Sequence, residues 1–210
     1  METCYIYLHG FASSPQSAKA QALSDRFREK NLSLLIPDLN QGDFFNLTLS
    51  RQIQQVEQLF PAEQPITLIG SSFGGLTAAW LGDRHPQVQQ LVLLAPAFQF
   101  LAHWLPRLGT EQLQRWQSDG FIPVYHYGAG HNLPLSYEFV TDAQSYDDHQ
   151  IRRPVPTLIL HGGRDEVVPI EASRQFAAER AWVKLVELDD DHALGNTQLE
   201  IWRSIQGILR

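Results

Sequence analysis

The sequence predicts an α/β fold: a mainly parallel sheet of six strands with helices on both faces, in one domain over residues 1–210. Two observations carry this expectation. Short runs rich in Ile, Val and Leu alternate along the chain with longer amphipathic segments. Most of the short runs are apolar on both faces, as strands covered by helices on each side must be. Alternation of this kind makes parallel sheets, because each crossover packs a helix back onto the sheet.

In chain order, Cys4–Leu8 is the first strand and Ser17–Lys30 the first helix. In that helix Ala20, Leu23 and Phe27 recur at three- and four-residue steps and form one apolar stripe. Leu32–Ile36 is the second strand, followed by a helix over Leu49–Phe60. Ile66–Ile69 leads into a helix over Gly74–Arg84, and Leu91–Leu94 is the fourth strand. Thr157–Leu160 and Val183–Leu188 complete the sheet, followed by helices over Ile170–Arg180 and Thr197–Leu209. From Phe98 to Ile151 the rhythm stops. There "FQFLAHWLPRLG" is aromatic and apolar, and Pro106 and Gly109 are expected to end any helix in it. "TEQLQRWQSDG" reads as a second short helix. "FIPVYHY" and "LPLSYEFV" flank "GAGHN", the pattern of a hairpin with a glycine-containing loop. This insertion, at about residues 98–151, is expected to be a lid over a site.

Composition narrows the function. Hydrophobic residues make up 43% and charged residues 19%, an ordinary globular balance that argues against disorder. The formal net charge is −7 and nothing basic is concentrated, which argues against a nucleic-acid or anionic-membrane partner. No apolar run approaches the roughly 18 residues of a membrane span. Cys4, the single cysteine, cannot form an internal disulfide and reads as a small buried hydrophobe on its strand. Glu2 stands where a secretory signal would carry positive charge, so a cytoplasmic location is expected.

The chemistry is concentrated in "PITLIGSSFGG", Pro65–Gly75. Gly70-Ser71-Ser72-Phe73-Gly74 fits G-x-S-x-G, which selects Ser72 over Ser71. An apolar strand precedes it and a helix follows. A sharp turn between the two strains the central serine and exposes its hydroxyl. Gly70 and Gly74 supply the small residues that such a turn needs two positions either side. A serine hydroxyl is a weak nucleophile until a base takes its proton. The acid and histidine that activate it should follow later in the chain, in that order. "PTLILHGGRDEVVP" carries Asp165 just past a strand, and "VKLVELDDDHAL" carries His192 just past the next. Both lie at carboxyl ends of strands, where open α/β sheets assemble their sites.

Glu166 is the rival acid and His131, in the hairpin, the rival base. His9 and His161 precede glycines at strand ends and are expected to brace those turns. His85, His103 and His149 read as ordinary helix or loop residues. Asp189–Asp191 reads as a solvated turn, with no second ligand cluster to make a metal site. The oxyanion formed in acyl transfer needs two N–H donors. Phe73, directly after the nucleophile, and Phe11, after Gly10 in "LHGFASSP", are the candidates.

Three blocks carry a family resemblance: "YIYLHGFASSPQSAKAQ", "LIGSSFGGLTAAWL", and "LHGGRDEVVP" with "DDDHAL". On these the chain resembles the α/β hydrolases, and more narrowly the small YqiA-type bacterial esterases. The opening block is the narrow marker; the others are common to the superfamily. The resemblance implies hydrolysis of a small-molecule ester or thioester through an acyl-enzyme, with no cofactor and no metal. It puts the family's roles on Ser72, Asp165, His192, Phe11 and Phe73. The sheet order expected is 2-1-3-4-5-6. Phe98, Phe100, Trp104 and Leu105 of the insertion are the expected substrate-facing residues, suited to an acyl chain or aromatic group. The same triad would serve an amide or peptide hydrolase, and a small-molecule sensor could keep the fold without turnover.

Overall fold

The computed structural model describes residues 2–209. In chain order it contains β1 (Cys4–Leu8), α1 (Ala18–Glu29), β2 (Leu34–Leu35), α2 (Leu49–Glu57), β3 (Ile66–Ser71), α3 (Phe73–Arg84) and β4 (Val88–Leu94). The insertion follows with α4 (Phe100–Asp119), β5 (Phe121–His126), β6 (His131–Ser136), α5 (Glu138–Ala143) and one 3-10 turn, Asp148–Gln150. The chain closes with β7 (Thr157–Gly162), α6 (Ile170–Ala178), β8 (Val183–Leu188) and α7 (Gln198–Gln206).

Six strands pair in parallel in the order β2-β1-β3-β4-β7-β8. With the β5–β6 hairpin set aside as its own antiparallel sheet, this is the expected 2-1-3-4-5-6. The sheet separates two apolar cores, because alternate side chains of each strand point to opposite faces. Ile6, Leu8, Leu68 and Leu93 pack with α2, α3, α5 and α6; Tyr5, Tyr7, Ile69, Val92 and Leu94 pack with α1 and α7. The helix after the serine is the most enclosed: every residue of α3 from Phe73 to Gly82 is buried. That explains its lack of a polar stripe.

The insertion departs from expectation in two places. Pro106 does not end α4, which continues to Asp119; the break is at Gly109, where φ is 75° and ψ 159°. Pro106 removes one N–H that would have returned to the Ala102 carbonyl, and Ala102 is exposed, so water can satisfy that carbonyl. The second departure is in "LPLSYEFV". The strand stops at Ser136, and Glu138–Ala143 is helical. Phe139, Val140 and Ala143 are all buried, a spacing a helix can meet and a strand cannot. Ser136 Oγ accepts from the Glu138 N–H at 3.2 Å and starts the turn.

Candidate active site

β3 ends at Ser71 and α3 begins at Phe73, so Ser72 alone turns the chain from strand to helix. Its φ of 53° and ψ of −117° are rarely adopted by residues other than glycine. Such strain costs about 1–3 kcal/mol, and four hydrogen bonds hold it. Ser72 N–H donates to Leu94 O at 2.8 Å, and Ser72 O accepts from Gly75, Leu76 and Ala97 at 2.9, 3.1 and 3.0 Å. The turn also needs its glycines. A Cβ on Gly70 would lie 2.3 Å from Gly74 O, and one on Gly74 would lie 2.2 Å from Leu8 O.

A serine at a helix N-terminus ordinarily spends its oxygen on first-turn amides, as Ser17 does for α1 and Thr48 for α2. Ser72 makes no such cap. Its Oγ lies 3.1 Å from His192 Nε2 instead. On the far side of that ring, Nδ1 donates to Asp165 Oδ2 at 2.7 Å. Residues from three separate strand ends are thus brought into one hydrogen-bonded line.

Asp165 is anchored by its own loop. Its Oδ1 accepts from the Val167 and Val168 amides, both at 2.8 Å, which leaves Oδ2 for His192. Burial alone would raise this carboxyl's pKa. His161, His192 and the Val168 amide outweigh it and hold Asp165 well below the usual carboxylate range.

The turn carrying His192 differs from expectation. Asp189 and Asp191 are exposed, but Asp190 is fully buried. It accepts from the amides of Asp191, Asn196 and Thr197, all at 2.9 Å, from Thr197 Oγ1 at 2.9 Å and from Asn196 Nδ2 at 3.1 Å. The turn folds back over the end of β7, where a Cβ on Gly162 would lie 2.5 Å from Asp190 O. A side chain at Gly162 would push the His192 turn off the sheet. The missed signal was Asn196-Thr197, a polar pair at the mouth of the last helix that needed an acid to satisfy it.

The loop after β1 passes beside the serine: a Cβ on Gly10 would lie 3.4 Å from Ser72 Cβ and 4.0 Å from its Oγ. Phe11 follows, and its ring meets those of Phe73, Phe100 and Trp104 at centroid distances of 6.2, 6.1 and 5.4 Å. Phe73 opens α3, so its N–H has no partner within the helix. Two unforeseen aromatics join this cluster: Phe139 lies 5.2 Å and Phe44 5.7 Å from Phe11. Leu105 is partly buried against the same core. Phe98 sits elsewhere. It is fully buried and stacks on Phe176 of α6 at 3.9 Å, a packing contact between the segment after β4 and α6.

The rival residues are otherwise occupied. Glu166 is exposed, and His131 is exposed with Nδ1 at 2.9 Å from Ala129 O. His9 braces its turn by accepting from Leu39 N–H at 3.0 Å. Lys19 was not anticipated. Its Nζ donates to Ser71 Oγ at 3.0 Å, and burial lowers its pKa to about 8 against the opposing pull of Asp165, Asp190 and Asp191. It continues the Ala20–Leu23–Phe27 stripe at i−4 from Leu23, which is why a lysine there turns inward.

Comparison with known proteins agrees with this architecture. The chain is 25% identical over 185 residues to the mouse (Mus musculus) palmitoyl-protein thioesterase ABHD10, mitochondrial, over 82% of this chain and 62% of that protein. It therefore spans less than two thirds of that relative. The structure of mouse alpha/beta hydrolase domain-containing protein 10 superposes with a TM-score of 0.81 at 22% identity, over 97% of this chain and 88% of that one. Est1E from Butyrivibrio proteoclasticus, solved with ferulic acid bound, gives 0.78 at 21% identity, over 99% and 89%. These structures share the α/β-hydrolase fold. No helix among the described residues is long and apolar enough to cross a membrane. Residues 4–207 match one family over nearly the whole chain. The chain belongs to the uncharacterised protein family UPF0227, and it has the α/β-hydrolase fold.

Proposed function

We propose that this protein is a serine hydrolase of carboxylic esters or thioesters, acting through an acyl-enzyme. One observation carries the reading: the line from Ser72 Oγ through His192 to Asp165 Oδ2, with links of 3.1 and 2.7 Å. Ser72 attacks the substrate carbonyl while His192 Nε2 takes its proton. Asp165, ionised and anchored, holds the imidazole in the tautomer with hydrogen on Nδ1 and stabilises its charged form. The amides of Phe11 and Phe73 receive the oxyanion. His192 then protonates the leaving alcohol or thiol. Water then attacks the acyl carbon as the same nitrogen takes its proton, the bond to Ser72 Oγ breaks, and Nε2 returns that proton to Oγ as the acid leaves.

The aromatic cluster of Phe11, Phe73, Phe100 and Trp104 beside the serine favours an acyl or aromatic group in the substrate. The mouse thioesterase and the ferulic-acid complex among its relatives point the same way. The insertion over residues 98–151, which sets Phe100 and Trp104 against Phe11, acts as the lid. A panel of short- and long-chain esters, acyl thioesters and aminoacyl amides tests the reading, with the Ser72→Ala protein as blank. Turnover of esters or thioesters above that blank is expected. Turnover confined to the amides would replace this reading with a serine aminopeptidase.

A further inference from the structure

His161 takes no part in the steps above, yet it is fully buried beside them. Three groups meet its ring. Nδ1 lies 2.8 Å from Ser173 Oγ on α6. Nε2 lies 3.0 Å from Val168 O and 3.1 Å from Asp165 Oδ2, the same oxygen that accepts from His192. A carbonyl and an ionised carboxylate can only accept, so Nε2 carries the hydrogen. Nδ1 is then free to accept from the Ser173 hydroxyl. The carbonyl and the carboxylate share the Nε2–H at 3.0 and 3.1 Å. Asp165 Oδ2 is therefore flanked by two imidazoles, one facing the nucleophile and one facing α6. At 3.1 Å and with both side chains fully buried, the positive end of the ring acts on the carboxylate with little screening.

We propose that His161, its tautomer set by the Val168 carbonyl and the Asp165 carboxylate and its Nδ1 accepting from Ser173, is a positioning residue that draws on the Asp165 Oδ2 charge and so limits how tightly Asp165 holds the His192 imidazolium. The proposal rests on the reading of Ser72, His192 and Asp165 as the acylating centre, and it deepens that reading. A carboxylate left alone with His192 would make that ring more basic, so it would stay protonated, and useless as a base, to higher pH. His161 offsets this without leaving the carboxylate unpaired. Other charges act here: Lys19 of α1, which interacts with Asp165 and also with Asp190 and Asp191 of the turn after β8, and Glu187 of β8, paired with His161 in the ladder.

The test is the pH dependence of Ser72 phosphonylation by a fluorophosphonate, followed in wild type, His161→Leu, His161→Gln and Ser173→Ala. Labelling rate needs no knowledge of the natural substrate. In His161→Leu the acidic limb should move up by about 0.5–1 pH unit. The plateau rate should fall about tenfold, because Asp165 Oδ2 loses one of the two imidazoles that fix it. Ser173→Ala should move the limb part of the way. His161→Gln, which can present an N–H to the same oxygen, should stay near wild type. An unmoved limb in His161→Leu and Ser173→Ala would overturn the proposal, even with slower labelling or lower stability. No labelling of wild-type Ser72 at any pH would instead remove the acylating centre itself, and the proposal with it. Should His161→Leu fail to fold, nitrogen-15 NMR of the wild-type imidazoles decides. Hydrogen on His161 Nε2 is expected, and hydrogen on Nδ1 alone would overturn the account.

Discussion

The Tyr127 N–H, at the tip of the β5–β6 hairpin, donates to the Ala12 carbonyl at 2.8 Å. Ala12 directly follows Phe11 and has φ of 53°, a left-handed conformation uncommon for alanine. Gly128 closes the contact, since a Cβ there would lie 2.8 Å from Ser14 Cβ. The insertion thus braces the loop that runs past Ser72. Gly128→Val should prise the hairpin tip off this loop and misplace the Phe11 N–H. Losing an oxyanion donor typically costs about 3 kcal/mol in the barrier, so labelling at Ser72 should slow by at least tenfold. Stopped-flow labelling beside a thermal melt checks this: the rate should fall while the melting temperature changes little.

The glycines of the elbow should be intolerant in a way that other glycines are not. Gly74→Ala sets a Cβ 2.2 Å from a backbone oxygen in the sheet, which cannot move aside. A loss of more than about 3 kcal/mol is expected. Gly109→Ala, at the α4 break, meets nothing within 4 Å and pays only for its φ of 75°; about 1 kcal/mol is expected. Urea unfolding of the two variants should separate them clearly.

Asp190 should make the fold acid-sensitive. Burial pushes its carboxyl up, but hydrogen bonds from Asp191, Thr197 and Asn196 outweigh this and hold it below 3.8, the value of the unfolded chain. Its stabilisation is therefore present above pH 3.8 and fades as pH falls through the folded value. Asp190→Asn should lower the urea midpoint at pH 7, and the gap from wild type should narrow by pH 3.

Asp148 should act in the opposite sense. Burial raises its carboxyl from 3.8 to about 6, although its Oδ2 accepts from the Gln99 N–H at the start of α4. An acid whose folded value is raised costs stability as pH climbs from the unfolded value to the folded one. Asp148→Asn keeps an acceptor for Gln99 and removes that cost. The variant should melt higher than wild type at pH 7.5, with the difference shrinking toward pH 4.

Much of this was legible in the chain. The limits of β1 follow from an unbroken apolar run and those of β8 from Val183, Leu185, Val186 and Leu188, and Ser72 stands out because glycines two residues either side have a steric purpose. Asp165 and His192 follow from their places after consecutive strands. The rest depended on contacts between distant segments. The pairing of Tyr127 with Ala12 links residues more than a hundred positions apart. Phe98 and Phe100 look alike in sequence, and only the direction of the chain after β4 sends one ring to α6 and the other toward Phe11. The "DDDH" turn misled because three adjacent acids ordinarily face water.

The most direct measurement is the mass-mapped site of fluorophosphonate attachment. One covalent adduct is predicted on the wild-type protein, confined to Ser72. It should be absent from the Ser72→Ala and His192→Ala proteins and retained in Ser71→Ala. An adduct that persists in folded Ser72→Ala protein, or one that forms undiminished without the His192 imidazole, would contradict the account.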